Sequence, residues 1–256
     1  MKKRVVLFSL ILVSGLSLAA DNIDEQIVKG KKLLQEGVRK FDEKTLLESR
    51  SQFVKLQAND EIQWLANYYV AYADYRLAIL YGSQNKPQQQ IQHLDQGISS
   101  LYSTLEKNEQ FADAQALLAA MLGQRISTDP QLGMSLGPES GTAIMDAKRF
   151  GKDNPRVALF SAIISYFTPT EYGGSTTRAI EEMKRAAELF ETENLEDKRL
   201  PDWGESESHI WLARFYTETD QLDLAKASLD RAMKIDPQMS YAKVIESRLQ
   251  EKLAKK

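Results

Sequence analysis

Residues 206–237, SESHIWLARFYTETDQLDLAKASLDRAMKIDP, constrain the fold more than any other stretch of the chain. Apolar residues recur there at spacings of three and four on either side of Thr217–Asp220, the pattern of two amphipathic helices joined by a turn. Ala213 and Ala225 stand where two helix backbones approach closely, and Leu212, Tyr216 and Leu229 fill the seam around them. Pro237 ends the second helix, because it cannot donate the next backbone hydrogen bond. One such hairpin cannot bury its own apolar face, so further hairpins must stack against it.

Counting Ser206 as position 1 places Leu212 at 7, Ala213 at 8, Tyr216 at 11, Ala225 at 20, Leu229 at 24, Ala232 at 27 and Pro237 at 32. On those residues the segment resembles the tetratricopeptide repeat, a helical hairpin of about 34 residues. His209 departs from the Trp usual at position 4, and the Trp falls two residues later, at Trp211. Weaker copies precede it. Gly30, Leu33, Gly37, Ser49, Phe53 and Leu56 fit a first hairpin. The segment 61–81, apolar almost all round and free of Gly and Pro, reads as an interior helix, with Ile62, Leu65, Ala66 and Tyr69 at positions 4, 7, 8 and 11. Pro87 opens its return helix, where Ile91, Leu94, Ile98, Leu101 and Leu105 form one apolar face. Residues 111–126 give a third forward helix, followed by Ala143, Ala147, Phe150 and Pro155 at positions 20, 24, 27 and 32. The fourth hairpin spans 156–167 and 177–190, and residues 241–253 read as a polar-ended cap.

The resemblance covers nearly the whole chain after the leader. It implies an all-α, right-handed superhelix, an α-solenoid of about five hairpins plus a C-terminal capping helix, with a concave groove lined by the first helices. The stretch YFTPTEYGGSTTRAIEEMKRA is also similar to a turn of exported bacterial repeat proteins. Three connections stand out by length. Residues 127–141, with Pro130, Gly133, Gly137 and Pro138, read as a fifteen-residue loop, 168–175 as a turn longer than the usual few residues, and 192–204 as a polar link ending in Pro201-Asp202-Trp203-Gly204.

Residues 1–19 have the form of a secretory leader: Lys2, Lys3 and Arg4, an apolar run of about twelve residues, then Ser17 and Ala19 before the cleavage point. The run is short of the roughly 20 residues that span a bilayer, and no Cys follows it for a lipid anchor. The reading is therefore an exported chain with one domain over 20–256, placed in the periplasm, or secreted as second choice, with no stable membrane insertion after cleavage. Losing the three basic residues moves the net charge from −3 to −6, which disfavours nucleic acid as a partner. The absence of cysteine excludes disulfides and thiolate chemistry.

No catalytic residue set, metal site or cofactor is expected. The sequence holds no nucleophile elbow, paired-His helix motif or phosphate loop. Its two histidines are His93, on a glutamine-rich face with only Asp95 nearby, and His209, close to Glu205 and Glu207. The latter trio sets the alternative reading, a small-molecule- or metal-responsive envelope enzyme or sensor. The primary reading is a non-catalytic scaffold or adaptor that holds an envelope protein or peptide in its groove. The family's groove positions fall on Gln63 and Asn67 in the second repeat and on Ile210, Arg214 and Thr217 in the fifth. Trp64, Tyr68, Tyr72 and Tyr75 share one helical stripe, which fits either core packing or, through Tyr68 and Tyr72, groove contact area.

Overall fold

The computed structural model describes residues 12–255. These residues form eleven α-helices and no strand: α1 (Leu12–Lys40), α2 (Glu43–Leu56), α3 (Gln63–Ser83), α4 (Pro87–Lys107), α5 (Ala112–Thr128), α6 (Gly133–Phe150), α7 (Pro155–Phe167), α8 (Thr176–Thr192), α9 (Glu205–Glu218), α10 (Leu222–Ile235) and α11 (Ser240–Leu253). The first eleven residues of the expected leader lie outside the described residues. Among those described, no helix is long and apolar enough to cross a membrane.

Odd and even helices pair as five hairpins, and α11 packs on α9 and α10. Three of the hairpins turn in the same way. Phe41, Asn85 and Asp220 take left-handed backbone angles (φ 54°, 56° and 59°). The next amide in each case reaches back five residues, Asp42 to Gly37, Lys86 to Tyr81 and Gln221 to Tyr216, all at 2.9 Å. That bond satisfies a carbonyl at the helix end which would otherwise lack a partner. The second helices then start from different caps. Asp42 accepts from the Thr45 amide, Pro87 occupies a first-turn position, and Ser175 in the fourth hairpin accepts from Arg178.

The close-approach positions behave as their sizes require. Ala213, Ala225, Ala232, Ala179, Ala186 and Ala147 are fully buried. A Cβ on Gly30 would lie 2.7 Å from the Phe53 ring, and Ser49 donates to the Gly30 carbonyl at 2.9 Å, so the first hairpin is closed by the same logic.

The loop expected over 127–141 is absent. After a 3-10 turn at Pro130–Leu132, capped by Asp129, the chain enters α6 at Gly133 and carries Pro138 inside the helix. Composition misleads here because one missing backbone hydrogen bond near a helix start is outweighed by docking on α5. Ser140 donates to the Ala119 carbonyl at 2.9 Å, and Ala143 and Ala147 are buried below it.

First helices α3, α5 and α7 are buried nearly all round. The reason is that the array curls until its fifth hairpin reaches the first. Arg39 at the end of α1 pairs with Asp236 at 2.5 Å, and Ser240 donates to the Arg39 carbonyl at 2.7 Å. The inner face is thereby enclosed.

Candidate functional site

Residues 193–204, the connection between α8 and α9, run across the inner face as an irregular strap. Their burial alternates. Glu193, Leu195 and Asp197 are half-buried, Asn194, Glu196, Lys198 and Asp202 are exposed, and Pro201 and Trp203 are buried. The alternation breaks at Arg199 and Leu200, both half-buried, where the Leu200 amide closes a turn on the Asp197 carbonyl at 3.1 Å. The contacts come from the first helices of the first, second and fourth hairpins. From α1, Lys31 Nζ donates to the carbonyls of Lys198 and Leu200 at 2.7 and 2.6 Å and pairs with Asp202 at 3.1 Å, while Gln35 donates to Asp202 at 3.0 Å. From α3, Tyr69 Oη donates to the Arg199 carbonyl at 2.5 Å and Tyr68 Oη accepts from the Trp203 indole at 3.3 Å. The Trp203 ring stacks on Tyr72 with centroids 4.2 Å apart and meets Phe160 of α7 edge-on at 5.6 Å.

Two arginines carry the electrostatics. Arg156 of α7, 2% exposed, donates from Nε to Asp113 of α5 at 2.5 Å, grips both carboxylate oxygens of Glu193, and reaches the Trp203 carbonyl at 3.4 Å. Arg76 of α3 lies against the faces of Tyr72, Tyr75 and Trp203 and donates to Glu207 at the start of α9 at 2.5 Å. Burial opposes both charges, and their carboxylate partners outweigh it. Lys31 goes the other way: burial lowers its pKa more than Asp202 raises it. Burial pushes the hydroxyls of Tyr68, Tyr69 and Tyr72 well above the usual tyrosine value, and Tyr75 to about 12.

Within the aromatic stripe, Tyr68 and Tyr72 lie against Trp203 of the strap, and Trp64 packs edge-on against Phe111. Tyr68 and Tyr72 are 0% and 2% exposed. The other expected contact residues lie elsewhere. Gln63 and Asn67 bond to Gln57 at the α2–α3 junction, at 3.1 and 2.6 Å. Ile210 and Thr217 are buried in the fifth hairpin, with the Thr217 hydroxyl returned to the Ala213 carbonyl. Of the seven, Gln63 and Arg214 are half-buried, and Arg214 borders an accessible surface.

That surface is a rim formed by the ends of α7, α9 and α11. The Arg214 guanidinium lies 5.9, 5.2 and 5.0 Å from the ring centroids of Tyr166, Phe167 and Trp211. It is steadied by Glu218 at 2.9 Å and the Tyr241 hydroxyl at 3.1 Å. Phe167 is 56% exposed, and Tyr172, in the 3-10 turn after α7, is 79% exposed.

The histidine trio does not assemble. Glu207 is taken by Arg76, and no group of three His, Cys, Asp or Glu is placed for a metal among the described residues. Burial, with Arg231 nearby, holds His209 below the ordinary histidine pKa. His93 has a neighbour that sequence order hides: Asp74, fully buried on the facing helix α3, lies 2.5 Å from its Nδ1 and also accepts from Arg50 at 2.7 Å. Sequence reasoning missed Lys31, Arg156 and the strap. Residues 193–203 show no apolar–polar alternation in sequence, and the signal they did offer was Trp203 and Pro201 in an otherwise polar link.

Comparisons with known proteins agree with the fold of helical hairpins. The tetratricopeptide repeat model matches residues 206–239. No curated protein matches the sequence. Among solved structures, the chain is similar to the HusA haemophore from Porphyromonas gingivalis, with a TM-score of 0.62 at 19% identity over 78% of this chain and 94% of that one. It is also similar to TTC0263, a thermophilic tetratricopeptide-repeat protein of Thermus thermophilus, with a TM-score of 0.58 at 16% identity over 86% of this chain and 99% of that one. The chain is thus an all-α solenoid of helical hairpins whose fifth hairpin is a tetratricopeptide repeat.

Proposed function

We propose that the protein is a non-catalytic interaction scaffold of the bacterial cell envelope, exported by residues 1–19, which docks a protein or peptide partner on the aromatic rim around Arg214. The observation that carries this reading is the exposure of Phe167 beside Trp211 and a ring-bound guanidinium, with the exposed Tyr172 five residues further along the chain, while Tyr68, Tyr69, Tyr72 and Tyr75 of α3 are buried. Aromatic and arginine side chains are the residue types that concentrate binding energy at interfaces, with single truncations costing about 2 kcal/mol or more. Photo-crosslinking tests it. With p-benzoylphenylalanine at Tyr172 or Phe167, a discrete adduct is expected in the native envelope, and none at Leu224, which is 49% exposed on another helix. Equal labelling at all three positions, or none at any, removes the rim as the docking surface. N-terminal sequencing of the protein recovered from the periplasm is expected to begin at Ala20; a chain retained in the cytoplasm with Met1 intact overturns the export reading.

A second reading follows from the haemophore likeness, and the rim is what favours it. Three rings around a guanidinium suit a flat, carboxylate-bearing ligand, stacked on the exposed Phe167 ring with the Trp211 ring edge-on to it and Arg214 facing its charge. Titration with haemin is expected to shift the Soret band in the native protein and less so in Arg214→Ala. Superimposable spectra with and without protein exclude it.

A further inference from the structure

The contacts between the strap and the concave face are those by which a groove holds a peptide. Three consecutive strap carbonyls, at Lys198, Arg199 and Leu200, accept from side chains of α1 and α3, and a fourth, at Trp203, accepts from Arg156. Main-chain contacts of this kind hold an extended segment whatever its sequence, while pockets for alternate side chains select it. The selecting pockets are explicit here. Pro201 is buried, and the Trp203 indole is enclosed by Tyr68, Tyr72, Phe160 and Arg76. Asp202 between them points outward to Lys31 and Gln35. The backbone hydrogen bond from the Leu200 amide to the Asp197 carbonyl is internal to the strap, and the Gly204 carbonyl at its end accepts from the Ser208 amide of α9, so residues 194–203 can lift away with the helices' own backbone bonds intact. Its outer edge borders an open cleft of about 590 Å³ lined by Asp24, Val28, Lys32, Glu196, Lys198 and Arg199.

We propose that the inner face is a binding site for a protein segment with a turn followed by a Pro–acidic–Trp core, occupied in this structure by the chain's own residues 194–204, which such a segment displaces. The strap is then an intramolecular ligand. Tethered at both ends, it competes at an effective concentration on the order of millimolar. An external segment binds the native chain with an affinity reduced by the fraction of time the strap is open. This site is separate from the aromatic rim and does not depend on it.

The test uses a fluorescein-labelled synthetic peptide of residues 194–204 as probe. Full-length Trp203→Ala, which empties the indole pocket while leaving the groove side chains in place, is expected to bind the peptide at least tenfold more tightly than the native chain. The peptide is also expected to raise the Tm of that variant, and the same peptide with its Trp replaced by Ala is expected to do neither. A folded variant that binds no better than the native chain overturns the proposal. Should Trp203→Ala fail to fold, hydrogen exchange of the Trp203 indole N–H in the native protein decides, the resonance being distinguished from those of Trp64 and Trp211. Exchange at least a hundredfold faster than that of the slowest α3 amides shows the strap opening by itself. Exchange at the same rate as those amides means the strap leaves only with global unfolding, and overturns the proposal.

Discussion

The sharpest quantitative consequence of the enclosed groove concerns Arg156. Its guanidinium joins three separate parts of the chain: Asp113 on α5, Glu193 at the start of the strap and the Trp203 carbonyl near the strap's end. The side chains of Arg156, Asp113 and Glu193 are 2%, 8% and 16% exposed, so water can replace few of these contacts. Arg156→Met keeps most of the aliphatic stem and removes every donor. Breaking a buried pair from one side costs about 3–5 kcal/mol, because the partner charge is left uncompensated. Two features favour the lower end. Asp113 keeps a hydrogen bond from Asn154 at 2.6 Å, and Glu193, the more exposed partner, can turn to solvent. The expected loss is therefore about 3 kcal/mol, or a Tm lowered by roughly 6–12 °C at about 2–4 °C per kcal/mol for a chain of this size. Urea melts followed by circular dichroism at 222 nm measure it. Adding Asp113→Asn and Glu193→Gln to Arg156→Met removes the stranded charges and is expected to recover more than half of the loss. A loss under about 1 kcal/mol, or a triple variant no better than the single one, would refute the account of Arg156 as a charge holding the strap to the helices.

Other perturbations give independent checks. Ala213→Trp or Ala225→Trp, at two fully buried close-approach positions, is expected to cost about 1–3 kcal/mol or more, and an unchanged thermal melt would mean that the hairpin register is wrong. A Cβ at Gly174 would fall 1.7 Å from the Thr168 carbonyl oxygen, so Gly174→Ala is expected to open the turn before α8 and speed proteolysis there, whereas Gly141→Ala, with open space around it, is expected to leave the cleavage pattern unchanged. The buried tyrosines set the alkaline limit. Their folded-state pKa values lie above the ordinary value near 10, so the stability carried by the neutral rings is complete below pH 10 and is lost as pH rises through the folded values. Tyrosinate absorbance at 295 nm from Tyr68, Tyr69 and Tyr72 is expected only together with loss of helical ellipticity, and full ionisation of a still-folded chain would contradict their burial. His209 acts at the acid side. Its folded pKa is lowered, so its contribution is complete above about pH 6.5 and is lost as pH falls, and His209→Gln is expected to flatten stability on the acid side of that value.

The hairpins were legible because each is decided locally. Ala213 opposite Ala225, Asp220 in a left-handed turn and Pro237 past a helix end are short-range choices that the sequence displays in order. Even the weak first repeat could be read, since Gly30 and Gly37 stand where a larger residue would strike Phe53 and Leu46. The groove could not be read in the same way. Positions 5 and 9 of a repeat face the groove only where the neighbouring repeat leaves them free, and Gln63 and Asn67 are instead drawn to Gln57. Lys31 and Arg156 look like surface residues in sequence, and are buried because segments 169 and 47 residues away come to lie against them. Residues 127–141 misled for the opposite reason: their glycines and Pro138 weaken a helix, yet the buried face of Ser140, Ala143 and Ala147 retains it.

Curling the array on itself changes what its repeats can do. In an open solenoid each hairpin touches only its neighbours, the end repeats fray, and the concave face stays available along its length. Here α1 meets α11, the Arg39–Asp236 and Ser240–Arg39 contacts tie the first hairpin to the turn after the fifth, and the strap links α1, α3 and α7 from within. These contacts span nearly the whole sequence, so loosening either end withdraws support from the strap as well. Lys31 shows the coupling most directly: it sits on the first helix, its charge is costly where it is buried, and what holds it there is Asp202 together with two carbonyls of the strap. A partner that drew the strap out would strand that ammonium and three tyrosine rings at once. A replacement segment must therefore supply the same acid, carbonyls and indole, and that requirement makes the strap's own sequence the best description of what the groove accepts.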